Sequence, residues 1–269
     1  MGLEAAIQSM TEQRRAEAAR LRWFDASLWL GRPQGFPLAK SADLASLRQE
    51  MADRFITGGL VSHWRGGTVS PAAGNEALDA LAGKLVGHSL GVVVTALPVG
   101  PDGSESLAGH GAPPSHVYGL RVFPRAHAFP PAPWLVGGLC RWMIDHGLPL
   151  FVWHTETDWQ ELYALANAFP DLSVVIESQP RKIIYGARSL LGLLRECPNV
   201  FVEISNLTSP CFAQMLAGVG PERFVFGSFL PVNDPLVAIG MVLDTEMSEA
   251  DRALIAGDNL RRLIRASMP

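Results

Sequence analysis

Strand-like and helix-like stretches alternate eight times along this chain, and that alternation restricts the fold more than any other property of the sequence. Short apolar or β-branched runs are, with one exception, followed by helix-like sequence, the order that builds a parallel sheet with crossover helices. The strand-like runs are Arg22 to Leu30, Phe55 to His63, Leu90 to Val99, His116 to Phe123, Pro149 to His154, Leu172 to Ser178, Val200 to Ser205, and 223–228. Helical spacing fills 41–54 with Ser41 as N-cap, 74–85, 134–146 ending at Gly147, 158–168, 185–196, and a short piece at 210–217. The second strand reads as the weakest, interrupted by Gly58 and Gly59. Residues 99–115 hold too many Gly, Pro and Ser for a full helix, so a loop is expected after the third strand. In a chain of 269 residues this order predicts an α/β fold, one (β/α)8 TIM barrel over 22–269. Ahead of it, Leu3, Ile7, Met10, Ala18 and Leu21 recur at helical spacing, so 1–21 is read as an extra helix that covers one barrel end or meets another subunit of a homo-oligomer.

Composition narrows the function classes. Hydrophobic residues make up 48% and charged residues 18%, enough for a large buried core. A net charge of −4 leaves no electrostatic footprint for nucleic acid or anionic lipid. No run is apolar for long enough to span a membrane, and the N-terminus lacks the apolar core of a secretory signal. Cys140, Cys197 and Cys211 show neither disulfide nor zinc spacing, which fits a reducing cytoplasm. The expected partner is therefore a small molecule.

In a TIM barrel the reactive groups lie at the C-terminal strand ends. Those ends offer Asp25, Ser27 and Trp29; His63, Trp64 and Arg65; Arg121; His154 and Glu156; Glu177, Ser178 and Gln179; Glu203, Ser205 and Asn206; and Ser228 and Phe229. His154 has two readings. It is a general acid or base, with Arg121 clamping an anion, or an imidazole held inside the mouth by Glu203 or Ser205. Glu203 should point inward with Ser205, and a buried carboxylate needs a partner, with Arg121 and His154 as candidates. Ser27 and Ser178 lack the surroundings of a nucleophile and read as small polar fillers. Around GHGAPPSH, His110 and His116 belong to a solvated loop or a lid.

The segments FDASLWLG, LPLFVWHTE, FPDLSVVIES, NVFVEIS and GPERFVFGSFLP, followed by SEADRALIAGDNLRRLI, resemble the amidohydrolase-related TIM-barrel family, in its aminocarboxymuconate-semialdehyde decarboxylase and dicarboxylate lactonase branch. The resemblance runs over roughly residues 22–265. In that family the closing strand reads Phe-Gly-Ser-Asp-x-Pro and its Asp holds a catalytic metal, whereas Phe229 stands there in this chain. The first-strand His-x-His falls on Ser27 and Trp29, the sixth-strand His on Ser178, and the fifth-strand His on His154. One imidazole does not make a three-ligand metal site, so no metal and no cofactor are expected. A relocated site of His63, His154, Glu156 and Glu177 is the alternative. The resemblance implies a metal-independent hydrolase of a lactone or ester-like bond in a small carboxylated substrate. His154, Arg121 and Glu203 would be its catalytic groups, with Ser27, Trp29, His63, Glu156, Ser178, Ser205 and Phe229 lining the substrate. The other reading is a degenerate barrel, a pseudoenzyme that binds a ligand or partner subunit without turnover.

Overall fold

A computed structural model of the protein describes residues 3–99 and 111–264. Eight parallel strands form one sheet in chain order: β1 (Trp23–Leu30), β2 (Ile56–His63), β3 (Leu90–Thr95), β4 (Val117–Val122), β5 (Leu150–Trp153), β6 (Val174–Glu177), β7 (Val200–Glu203) and β8 (Phe224–Val225). Beyond β8 the chain returns to the first strand. The Ala26 amide donates to the Phe226 carbonyl at 2.9 Å and the Trp29 amide to the Leu230 carbonyl at 3.0 Å, which brings the sheet round into a barrel.

The helices are α1 (Leu3–Arg20) ahead of the barrel and α2 (Leu44–Asp53) after β1, then α3 (Trp64–Thr68), α4 (Pro71–Asp79) and α5 (Ala82–Val86) after β2. Next come α6 (Pro133–His146), α7 (Trp159–Ala168), α8 (Ala187–Glu196) and α9 (Ser209–Val219), one in each crossover from β4 onward. After β8 follow α10 (Pro235–Asp244), α11 (Glu249–Ala253) and α12 (Asn259–Leu263), the last two joined by a π-helical turn. Among the described residues no helix is long and apolar enough to cross a membrane.

Several local expectations change. Asp43 rather than Ser41 caps α2, in a reciprocal capping box with Ser46. Two short helices, α4 and α5, replace the single one expected at 74–85, α3 stands ahead of them, and α9 is longer than expected, running until Gly220 at φ 79°. The left-handed Gly147 ends α6 as anticipated. Strand β3 stops at Thr95 rather than Val99. His110 and most of the expected loop lie outside the described residues, while His116 meets Asp79 at 3.1 Å.

The glycines of β2 do not interrupt it; the strand runs eight residues and pairs on both sides. A Cβ on Gly59 would sit 2.4 Å from the Asp25 carbonyl, so its bare backbone lets β2 pass close to β1.

The interior is layered. At the bottom Phe24, Leu60, Phe151, Val175 and Val225 pack against Leu260 and Ile264, so α12 and the residue following it seal that end. Helix α1 runs alongside α10 instead, where Arg14 pairs with Asp244 at 2.5 Å. A polar layer lies above the apolar floor, and an aromatic layer closes the top.

Candidate functional site

Arg121 sits in the polar layer, 1% exposed. Its Nε donates to Glu177 Oε2 at 2.8 Å and its Nη2 to Oε1 at 2.5 Å, a bidentate fork, while Nη1 donates to Ser62 Oγ. Ser62 passes its own proton to the Val93 carbonyl at 2.7 Å. Above and below, the guanidinium carbon lies 4.4 Å from the Trp29 ring centre and 5.6 Å from that of Phe151. Burial pushes the Glu177 carboxyl up from its ordinary range, and the Arg121 charge opposes that.

Glu203 lies opposite Glu177 in the β6–β7 register and is fully buried. Neither expected partner meets it. Its oxygens accept from the Ser205 amide at 2.6 Å, the Ser205 hydroxyl at 3.0 Å, the Ser178 amide and hydroxyl at 3.2 Å, and Gln179 Nε2 at 3.3 Å. Burial, reinforced by the Glu177 charge, pushes its pKa up to about 8, so the carboxyl holds a proton at neutral pH. A Cβ on Gly227 would lie 2.3 Å from Glu203 Oε1, so the glycine after Phe226 makes room for this side chain. Asp25 is the third interior carboxyl. Its Oδ1 accepts from the amides of Ser27 at 2.8 Å and Ser228 at 3.0 Å, tying β1 to the closing segment, and burial pushes its pKa up to about 6.

Five rings form the top layer. Trp29 packs on Trp64 at 4.8 Å and Trp153 at 5.5 Å between ring centres, and Phe123 and Phe229 complete the cluster. None is more than 9% exposed. Phe229 holds a left-handed φ of 61°, a conformation that costs a bulky residue energy, and its amide donates to Ser27 Oγ at 2.9 Å. Three polar atoms in this layer are left over: the indole N–H groups of Trp29, Trp64 and Trp153 are buried and have no hydrogen-bond partner among the described residues. Asp25 Oδ2, Gln179 Oε1 and Asn206 Nδ2 likewise have no partner among the described residues. Buried donors are nearly always satisfied, so three in one touching cluster call for an explanation.

The remaining expected residues stand apart from this column. Phe151 and Trp153 point inward, so the parity of β5 turns His154 to the outer side. Its Nε2 lies 2.8 Å from the Arg181 carbonyl, not near Glu203 or Ser205, and its ring is parallel to Trp159 at 6.3 Å. A carbonyl only accepts, so Nε2 carries the proton and Nδ1 is the acceptor. Burial holds this imidazole below its ordinary pKa, and His63 is lowered for the same reason, with Arg65 adding to it. His63 Nδ1 accepts from the Arg65 amide at 3.2 Å, and Glu156 accepts from the Ala126 amide at 2.9 Å.

The structure therefore gathers Arg121, Glu203, Ser27, Ser178, Ser205, Trp29 and Phe229 into one column and leaves His63, His154 and Glu156 in separate rim contacts. Among the described residues no three His, Cys, Asp or Glu side chains are placed to share a metal ion. Nor do the residues at the mouth fit a divalent cation. Ser27 and Phe229 bond each other, Trp29 covers a fixed guanidinium, and Glu177 is consumed by that guanidinium. Sequence reasoning missed Trp153 and Phe123 as wall residues and Glu177 as the partner of Arg121. The inward alternation of Phe151 and Trp153 was the available signal for the first.

A family model described as Amidohydrolase matches residues 19–266. No curated protein matches the chain. Among solved structures, an uncharacterised TIM-barrel protein from Bordetella bronchiseptica superposes with a TM-score of 0.69 at 17% identity, covering 90% of this chain and 98% of that one. An amidohydrolase from Burkholderia multivorans with bound zinc gives 0.70 at 15%, covering 92% and 100%. The 5-carboxyvanillate decarboxylase of Sphingomonas paucimobilis gives 0.65 at 12%, covering 91% and 99%. At these identities the likeness is one of fold.

Proposed function

This chain belongs to the amidohydrolase family, and we propose that it is a catalytically degenerate member that binds a small oxygen-rich ligand at its tryptophan-lined mouth, without turnover and without a divalent metal. The observation that carries the reading is the set of three buried indole N–H groups, from Trp29, Trp64 and Trp153, with no acceptor among the described residues. Acceptor oxygens of a carboxylate, ester or lactone would satisfy them, and the Arg121 guanidinium beneath Trp29 adds a favourable field. Turnover is disfavoured because Arg121 and Glu203, in the column beneath the rings, are held by the chain itself. Arg121 is held by Glu177 and Ser62, and Glu203 lies in the layer below the rings.

The test uses tryptophan emission of the purified full chain, titrated with 2,6-dihydroxybenzoate and with a simple lactone, while the ligand is followed by chromatography. Saturable quenching with no loss of ligand is expected, weakened in Trp153→Phe, which keeps a ring and removes one donor. Product accumulating at a rate proportional to protein would refute the reading.

A metal-independent hydrolase remains as the second reading because of one feature of His154. Its Nε2–H is fixed on a carbonyl, and its Nδ1 lone pair, which a general base requires, accepts no hydrogen bond among the described residues. An aryl ester and lactone panel compared between wild type and His154→Ala decides it; equal rates in the two would remove His154 from any mechanism.

A further inference from the structure

Two side-chain amides in the polar layer are each fastened at one end and left over at the other. Gln179, fully buried, donates through Nε2 to Glu203 Oε2 at 3.3 Å, while its Oε1 has no donor among the described residues. Asn206, 9% exposed, accepts at Oδ1 from Asn233 Nδ2 at 3.1 Å and gives its backbone amide to Ser178 Oγ at 2.7 Å. Its Nδ2 has no acceptor among the described residues. The fastened ends decide which atoms are free. Asn233 offers a donor, so Asn206 turns its oxygen to it; Glu203 Oε2 takes the Ser178 amide as an acceptor, so Gln179 turns its nitrogen there. The pair therefore presents one free acceptor and one free donor, and a buried group of either kind is costly to leave unpaired.

Register puts these atoms beside the indoles. Trp153 pairs with Glu177 and Glu177 with Glu203, so β5, β6 and β7 set the Trp153 ring, Gln179 and Asn206 along one arc of the mouth. Both amides hang from the bonded Ser178 and Glu203 side chains, Gln179 on the carboxyl and Asn206 on the hydroxyl. Among the five rings and the buried polar side chains, Trp153 and Asn206 at 9% and Ser205 at 8% are the most exposed, so a ligand approaches along this arc. Arg121 is paired with Glu177, and burial keeps Glu203 protonated at neutral pH, so these groups add no net charge beside the amides. A carboxylate oxygen placed there would take the Asn206 donor but leave Gln179 Oε1 facing a second acceptor. One hydroxyl group serves both, donating to Oε1 and accepting from Nδ2. We infer that Gln179 and Asn206 read a hydroxyl, so that the mouth selects small hydroxy acids, whose carboxylate oxygens meet the indoles. The inference rests on the ligand-binding reading of the mouth given above.

The test is titration calorimetry of the purified full chain with two matched pairs of acids, mandelate against phenylacetate and 3-hydroxybenzoate against benzoate. They offer the hydroxyl beside the carboxylate and across a ring. In at least one pair the hydroxy acid should bind about tenfold tighter or more, because its parent leaves two buried polar atoms unpaired. Gln179→Met and Asn206→Asp each remove one of the two free ends, and each should bring the members of that pair to within about threefold of one another. Parents that bind wild type as tightly as both hydroxy acids would overturn the inference and leave the mouth reading standing, with water meeting the two amides instead. A preference that survives in either folded variant would overturn it as well. If no member of either pair binds at millimolar concentration, the mouth reading itself fails and this inference falls with it.

Discussion

Arg121 and Glu177 show how much depends on a single buried pair. Both ions are withdrawn from water, and their attraction offsets that cost only while the fork and the Ser62 contact persist. Arg121→Met should therefore destabilise the fold by about 3–5 kcal/mol in urea unfolding, because Glu177 is left charged and unpaired. Adding Glu177→Gln to Arg121→Met should recover much of that loss. Glu203 gives a pH signature. Its pKa rises from the ordinary 4.5 to about 8 in the folded chain, so between those values the folded state holds a proton that the unfolded state has released. Stability is then fully present below pH 4.5 and is lost as pH climbs through 8, with a slope of at most about 1.4 kcal/mol per pH unit from this one group. Asp25, raised to about 6 from 3.8, adds the same sign over a lower window. Unfolding curves at pH 5, 7 and 9 should show the decline in wild type and a smaller one in Glu203→Gln. The neutral acid has somewhere to donate, since the hydroxyls of Ser205 and Ser178 lie 3.0 and 3.2 Å away and can reverse to accept.

At the scale of elements, β2 carries a sharp expectation. Gly59→Ala would drive a methyl to 2.4 Å from the Asp25 carbonyl, which is backbone and cannot swing aside, so β1 and β2 must part. Such overpacking costs about 1–3 kcal/mol, and a midpoint shift in urea with unchanged slope would measure it. The same strand marks a limit of reading structure from sequence. Two glycines look like a break in a strand pattern, and only the approach of β1 to Gly59 and of the Ser89 carbonyl to Gly58 shows them to be a requirement of it. Elsewhere the strands were legible because seven of them are short apolar runs whose burial on both faces leaves little choice of conformation. The site was legible in part. Alternation placed Glu203 inside, but which carboxyl takes Arg121 depends on register across β4, β5 and β6, which no local pattern encodes. His154 shows the sensitivity of such readings. It follows the inward Trp153 by one residue, and one residue along a strand reverses the face.

For the molecule as a whole, the barrel keeps its shape at 12–17% identity to the solved structures described above, with TM-scores of 0.65–0.70. Closure depends on strand pairing and on filling the interior volume, and aromatic rings supply volume without any ion. A chelator should then leave the melting temperature of the purified protein unchanged, with zinc, manganese and iron each well below one equivalent. The rings themselves should matter far more. Trp153 touches Trp29, Trp64, Phe123 and Phe229, so Trp153→Ala opens a void that its neighbours cannot collapse into. A loss of about 3–5 kcal/mol is expected. If volume is what the plug contributes, free indole at millimolar concentration should enter the void and raise the melting temperature of Trp153→Ala while leaving wild type unmoved. Equal shifts in both proteins would mean that indole binds elsewhere, and that the top layer of the barrel does not act as a single packed unit.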